Sequence, residues 1–311
     1  MNYISIYHLY NTPDTLLRQE FARFQKDGIT TIAILVFWLY AESAPGVYNQ
    51  PFISNIIRVC RIAASYGINV MIDFHTLIGD DMKWSTPEYV GVGMNLITNA
   101  TIASAYVKMV KWAVGQLKVL PNIWAYSVVN EPWYWPLDEW RKTNWINLIV
   151  DLSNTVKAID NRPVTVRFVA PFFERDFGWD SRLLSALDFV SVNAYVWPDA
   201  PYDIYWRTFD QYRNNLASLG AKAGQLGKKM MVTEYGVDTR NDTEQVDWYQ
   251  RYMEAFRSTP NLMGCLNWGW DNGYDSSNPT FATIGDGWSI VNRVTGMPRP
   301  AYDVLTKTQL G

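Results

Sequence analysis

Short apolar runs rich in β-branched residues alternate with longer amphipathic stretches about eight times along this chain, a rhythm few folds can accommodate. The strand candidates are Tyr3–Tyr7, Thr30–Phe37, Ile68–Phe74, Ile123–Val129, Val164–Val169, Phe189–Asn193, Lys229–Thr233 and Met263–Asn267. Each is apolar almost throughout, as strands covered on both faces of a parallel sheet must be. Helix signals fill the gaps. Thr12 is placed to cap a helix with Pro13 at its first position, Leu17, Phe21 and Phe24 on one side and Gly28 as its stop. Asp242 before Thr243-Glu-Gln245 reads as a capping box, with Val246, Tyr249 and Met253 facing inward. Helical spacing also marks Ile102–Leu117 and, less regularly, Ile53–Tyr66, Asp138–Ile159, Ile204–Leu226 and Pro300–Leu310, while Asp180–Leu187 has room only for a short helix. Eight strands in order, with no early Gly-x-Gly-x-x-Gly turn, predict an α/β fold of the (β/α)8 TIM-barrel type rather than an open doubly wound sheet. The 311 residues contain no low-complexity break and are expected to form a single domain, 1–311.

Composition removes several kinds of partner. Lys and Arg number 27 against 30 Asp and Glu, with no basic cluster of the kind a phosphate backbone requires, so nucleic acid is not expected to bind. No window reaches the apolar length of a membrane span. Met1–His8 lacks a basic segment, an apolar run and a small-residue cleavage site, so no secretory leader is expected; a chain whose leader had been removed would be secreted, and otherwise cytoplasmic. Cys60 and Cys265 both lie in apolar segments and read as small core residues. A monomer or weak homo-oligomer is expected. Aromatic residues are abundant, 13 Phe, 15 Trp and 19 Tyr, and Trp38, Trp133, Trp135, Trp197, Trp268 and Trp270 follow strand ends, where an indole face can stack on a sugar ring as readily as it can fill a core.

Two glutamates stand at predicted strand ends: Glu131 in Ser127-Val-Val-Asn-Glu-Pro132, and Glu234 in Met231-Val-Thr-Glu-Tyr-Gly236. In a (β/α)8 barrel the carboxyl ends of all strands share one rim. Two carboxylates roughly 5–5.5 Å apart across such a rim would suit retaining cleavage of a glycosidic bond, in which one protonates the leaving oxygen and the other attacks the anomeric carbon. Glu131 is assigned as acid/base and Glu234 as nucleophile. The competing readings are a helix N-terminal acid beside Pro132 and a surface glutamate beside a Tyr-Gly turn. Asn130 either bonds the sugar 2-hydroxyl or caps the next helix. His75, ending Val70-Met-Ile-Asp-Phe-His75, bonds a substrate hydroxyl, orients Asn130 and Glu131, or is a satisfied core histidine. Tyr195 is expected to aim its hydroxyl at Glu234 or to seal the barrel top. Trp268, in Leu266-Asn-Trp-Gly-Trp-Asp271, is the best sugar floor, and Trp38, Trp133, Trp135, Trp197 and Trp270 are candidates for other sugar positions. With two histidines in the chain no histidine-rich metal cluster is possible, and Asp80, Asp81, Asp271 and Asp275 make only a weak calcium candidate without an EF-hand pattern. The proposed chemistry needs no cofactor.

Asn130-Glu131-Pro132 and Thr233-Glu234-Tyr-Gly236 resemble the acid/base and nucleophile motifs of the retaining (β/α)8 glycoside hydrolases, especially family 5, the cellulase and mannanase group. His75, Tyr195 and Trp268 match that family's third-strand histidine, sixth-strand tyrosine and eighth-strand tryptophan. The closing segments Gly287-Trp-Ser-Ile-Val291 and Arg299-Pro-Ala-Tyr302 fit as well. The resemblance implies a β-linked oligosaccharide or polysaccharide substrate, a glucan, mannan or relative. Endo action is preferred; exo action, transglycosylation and a noncatalytic carbohydrate-binding barrel are the alternatives. Two positions depart from the pattern: Ala33 stands where the family has a second-strand arginine, and Asn193, itself a substrate-binding candidate, where it has a histidine. Either another donor replaces the missing cation or the chain is a divergent member.

Overall fold

The computed structural model describes residues 2–4, 12–75, 86–91, 95–132, 138–177, 179–199, 206–269, 290–291 and 297–307. Eight strands follow one another in a single sheet in chain order: β1 (Asn2–Ile4), β2 (Thr31–Phe37), β3 (Asn69–His75), β4 (Ile123–Asn130), β5 (Val164–Val169), β6 (Val190–Asn193), β7 (Met230–Glu234) and β8 (Leu262–Cys265). The pairs β3/β4, β4/β5 and β7/β8 are parallel. The main helices between and after them are α1 (Asp14–Lys26), α2 (Gln50–Ala64), α3 (Ala100–Leu117), α4 (Glu139–Lys157), α5 (Ser181–Ala186), α6 (Phe209–Gln225), α7 (Asp242–Ser258) and α8 (Pro300–Lys307). The fold is (β/α)8. Of the expected first strand, the part beyond Ile4 lies outside the described residues.

Local sequence explains the helix ends, with two corrections. Helix α1 starts after Pro13, which takes the cap position expected of Thr12 and gives no side-chain bond there; Leu17, Phe21 and Phe24 are buried, and Gly28 takes φ 76° to turn the chain out. At α7 the cap is Asn241, whose side-chain carbonyl accepts from the N–H groups of Thr243 and Glu244, and Asp242 is already helical. That shift of one residue buries Gln245 and leaves Val246 at the margin. Helix α6 begins with a reciprocal capping box between Thr208 and Gln211.

Contact density divides the chain into two compact units. One comprises Met1–Ala33, Tyr66–Ile68 and Asn193–Gly311. Its core is aromatic: Tyr212 of α6, Tyr235 beyond β7, and Tyr249, Tyr252 and Phe256 of α7 are buried with ring centroids 4.8–6.4 Å apart. The other comprises Ile34–Ser65 and Asn69–Val192. There the Tyr106 hydroxyl of α3 donates to the carbonyls of Phe74 and Val128, tying the ends of β3 and β4 to the helix layer. Beyond β5, Phe173 and Phe177 of a π-helical turn, Phe173–Phe177, pack on Phe168 with ring centroids 4.8 and 5.1 Å apart. Both cysteines are buried, and burial pushes the Cys60 thiol up to about 12, which suits an inert core residue. Among the described residues no helix is long and apolar enough to cross a membrane, and no cluster of three metal-ligating side chains occurs. Asp80, Asp81, Asp271 and Asp275 lie outside them.

Candidate active site

Glu131 owes its position to an irregular strand end. Between Ser127 and Asn130, β4 advances three residues while its partner β5 advances two, from Thr165 to Arg167, and this bulge re-aims the chain just before the glutamate. Glu131 itself has φ 48°, a left-handed backbone that is strained for any residue but glycine. Its N–H donates to the Arg167 carbonyl at 2.7 Å, which holds the bend. Helix α4 begins only at Glu139, with Asp138 as its cap, so neither a capping Asn130 nor a helix N-terminal Glu131 describes these residues. Asn130 is buried beside Glu131.

Below this rim the sheet encloses charge. Arg167 of β5 and Asp73 of β3 are both fully buried, and the Arg167 Nη1 donates to Asp73 Oδ2 at 2.5 Å. The same carboxylate oxygen lies 3.1 Å from Nδ1 of His75 at the end of β3, and the Phe37 ring meets the imidazole at 4.8 Å, edge to face. Burial pushes the Asp73 carboxyl up, but the Arg167 guanidinium, His75 and Ser127 together pull it down by more, so it lies below the usual carboxylate range. Arg167 and Asp73 escaped the sequence reading. The signal was present: a single charge inside each of two otherwise apolar strands, Val164-Thr-Val-Arg-Phe-Val169 and Asn69-Val-Met-Ile-Asp-Phe-His75, which only a specific partner makes tolerable.

Glu234 ends β7 and is 5 % exposed, so it is not the surface glutamate of the alternative reading. The Tyr195 hydroxyl donates to its Oε2 at 2.7 Å. Its backbone carbonyl accepts from Ala194 N–H, and the next carbonyl, that of Tyr235, accepts from Trp268 N–H at 2.9 Å, so the strand end, Tyr195 and Trp268 are clipped together. Gly269 at φ 86° then turns the chain, with its carbonyl bound by Asn267. Trp268 is half-buried, and Trp197, 48 % exposed, lies roughly parallel to Tyr195 with ring centroids 6.3 Å apart. Asn193 is buried, and its carbonyl accepts from the Thr233 hydroxyl at 2.9 Å.

Trp38 does not serve as a sugar platform. It is wholly buried against Tyr106 and Tyr89, and its indole N–H is given to the carboxylate of Glu42 at 2.6 Å. A short helical turn, Trp38–Ala41, swings the ring inward where the strand pattern alone placed it at the rim. Trp133, Trp135 and Trp270 lie outside the described residues.

The family profile described as Cellulase (glycosyl hydrolase family 5) matches residues 7–174, more than half of the chain. The chain belongs to glycosyl hydrolase family 5. This family 5 chain is 25 % identical over 229 residues to mannan endo-1,4-beta-mannosidase A of Aspergillus aculeatus, an alignment that covers 68 % of the chain and only 57 % of that relative's length. Among solved structures it is similar to a point variant of GH5_18 from Streptomyces cattleya in complex with Manb1-4GlcNAc, at TM-score 0.81 and 13 % identity, covering 98 % of the chain and 78 % of that structure. It is also similar to the exo-beta-1,4-mannosidase Op5Man5 from Opitutaceae bacterium strain TAV5, at TM-score 0.79 and 12 % identity over 98 % and 58 % of the two chains. At these identities the structural likeness speaks for the fold.

Proposed function

We propose that this family 5 chain hydrolyses β-mannosidic bonds with retention, Glu131 serving as acid/base and Glu234 as nucleophile. The observation that carries the reading is Glu234: a carboxylate almost fully withdrawn from solvent at the carboxyl end of a strand, with one oxygen bound by the Tyr195 hydroxyl. A core does not bury a carboxylate without a use or a full set of partners. A hydroxyl on one oxygen fixes the group while the other oxygen attacks. Strand ends of a (β/α)8 fold open on one face, which supports pairing Glu234 with Glu131 at the end of β4. In the first step Glu131 gives its proton to the departing oxygen as Glu234 bonds to the anomeric carbon. In the second, Glu131 removes a proton from water, which displaces Glu234. Asn130 is assigned to the sugar 2-hydroxyl, Trp268 to the sugar face at the cleavage point, and His75, Asn193 and Trp197 to neighbouring contacts.

Mannose is preferred over glucose because the curated relative is named a mannan endo-1,4-beta-mannosidase. Endo action is preferred on the same ground. The exo reading is kept because a structural relative is named an exo-beta-1,4-mannosidase. Hydrolysis of an aryl β-mannoside by the full chain, beside Glu234→Ala with and without azide, tests the chemistry. Glu234→Ala is expected to be inactive and azide to restore turnover with a glycosyl azide of inverted configuration; activity that survives the substitution overturns the nucleophile. Glu131→Gln is expected to lose roughly 10²–10⁴-fold in rate on substrates with poor leaving groups. A time course on manno-oligosaccharides separates the two modes, since internal products appear first only under endo action.

A further inference from the structure

We infer that Arg167 is a positioning residue: through Asp73 it holds the His75 imidazole with its proton on Nδ1, so that Nε2 is left as a hydrogen-bond acceptor. Arg167 Nη1 and His75 Nδ1 converge on one oxygen, Oδ2 of Asp73, at 2.5 and 3.1 Å, and all three side chains are at most 1 % exposed. An ionised carboxylate has only lone pairs to offer, so the ring nitrogen facing it is a donor. The single negative charge of Asp73 is already matched by the single positive charge of Arg167. A second ring proton would set a buried cation beside the Arg167 guanidinium on the same carboxylate oxygen, and the neutral ring therefore carries its one proton on Nδ1.

The surroundings agree with this balance. Phe37 of β2 meets the ring with apolar carbon, the neutral Ser127 of β4 bonds the Asp73 carboxylate, and the Tyr106 hydroxyl of α3 is spent on two backbone carbonyls. Burial, and then the Asp73 charge, push the Tyr106 phenol well up, so it adds no charge of its own. The Asp73 carboxyl lies below its ordinary range even though burial opposes ionisation. A guanidinium suits the task because it keeps its proton when buried, where a lysine can shed it. Arg167 also accepts the Glu131 N–H through its own carbonyl, so one residue sets both the tautomer at the end of β3 and the bend at the end of β4.

What meets Nε2 rests on the hydrolase reading: an acceptor at the strand end selects a ligand that offers a hydroxyl proton, as a sugar does. The tautomer itself does not rest on that reading, and the test keeps the two apart. With only two histidines in the chain, ¹⁵N-histidine labelling of the full protein gives two ring systems, and His75→Asn assigns them. The unsubstituted protein at pH 7 is expected to show His75 with Nδ1 protonated and Nε2 bare; a proton on Nε2 alone, or a doubly protonated ring, overturns the inference. Arg167→Lys is expected to retain the pattern, and Arg167→Met to give the ring a second proton. Should Arg167→Met not fold, the charge-neutral pair Arg167→Met with Asp73→Asn is expected to fold and to show a mixture of both tautomers. An unchanged single tautomer in Arg167→Met, or in the double variant where Arg167→Met does not fold, overturns the inference. On an aryl β-mannoside the same variant should lose about tenfold or more in kcat/KM, the effect of one misdirected hydrogen bond. Unchanged kinetics beside a changed tautomer would remove the claim that Nε2 serves the site. If no β-glycoside is cleaved by the unsubstituted protein, the hydrolase reading falls and the ring spectra still decide the tautomer.

Discussion

Glu131 keeps a left-handed backbone, φ 48°, in which a β-carbon costs about 1–2 kcal/mol. Strain of this kind persists where the surrounding structure enforces it and gathers at functional positions. Both Glu131→Gly and Glu131→Ala remove the carboxyl, but only glycine relieves the bend; after its larger loss of chain entropy the glycine variant is expected to be the more stable by about 0.5–1 kcal/mol in urea unfolding. An alanine variant of equal or greater stability would mean that no such strain exists. Asp73 makes a second prediction. Its carboxyl titrates below its unfolded value of about 3.9, so the unfolded chain takes up the proton first. The stability it contributes is complete above that value and is lost as pH falls through the folded one. Removing the pair, Asp73→Asn with Arg167→Met, should therefore flatten the fall of stability below about pH 4 relative to the unsubstituted protein, as read by denaturant midpoints across the acid range. At this scale the two glutamates were legible because each follows an apolar run and stands beside a distinctive neighbour. Arg167 and Asp73 were not, because a run scored for apolar character treats one charge as an interruption, and their meaning lies in a contact 94 positions apart. Trp38 misled for the opposite reason: its fate is decided by Glu42, four residues on, whose carboxylate takes the indole N–H.

Strands survived translation from sequence to structure better than helix ends did. An apolar run has no other place to go than the sheet, so all eight were legible to within one or two residues where the structure describes them, whereas a cap depends on which of two adjacent polar side chains reaches the free N–H groups. Asn241 and Asp242 both qualify by composition; the Asn241 side chain takes the N–H groups of Thr243 and Glu244, while Asp242 is already helical and its carboxylate accepts from Arg299. Glycines inside helices hold information of another kind. Gly220 lies in the middle of α6, where alanine would be favoured by about 1 kcal/mol on propensity alone. A β-carbon there would come 2.2 Å from the Pro260 carbonyl oxygen, a backbone atom that cannot step aside without moving the turn before β8. Overpacking outweighs propensity, and Gly220→Ala is expected to lose about 1–3 kcal/mol in thermal or urea unfolding. A stabilised variant would show that α6 and this turn are not in such close approach.

The boundary between the two compact units falls inside strands, between Ala33 and Ile34 in β2 and between Val192 and Asn193 in β6. Domains that fold independently are divided in exposed linkers, where few contacts are lost by the cut. A cut through a strand leaves each piece with backbone donors and acceptors that only the rest of the strand's ladder can satisfy, and such groups are costly when unpaired and buried. The chain also enters and leaves each unit more than once: residues Tyr66–Ile68 belong to one unit while the segments on both sides belong to the other. We therefore propose that 1–311 folds as a single cooperative domain. Calorimetry should show one transition whose calorimetric and van't Hoff enthalpies agree, and intrinsic fluorescence and far-ultraviolet circular dichroism should follow the same midpoint. The 15 tryptophans report on both units, with Trp38 and Trp145 in one and Trp206 and Trp248 in the other, so a unit that melted first would be seen as a separate fluorescence step. Two resolved transitions, or a fluorescence midpoint that departs from the dichroism midpoint, would assign the stability to the units separately and make the strand interruptions real domain boundaries.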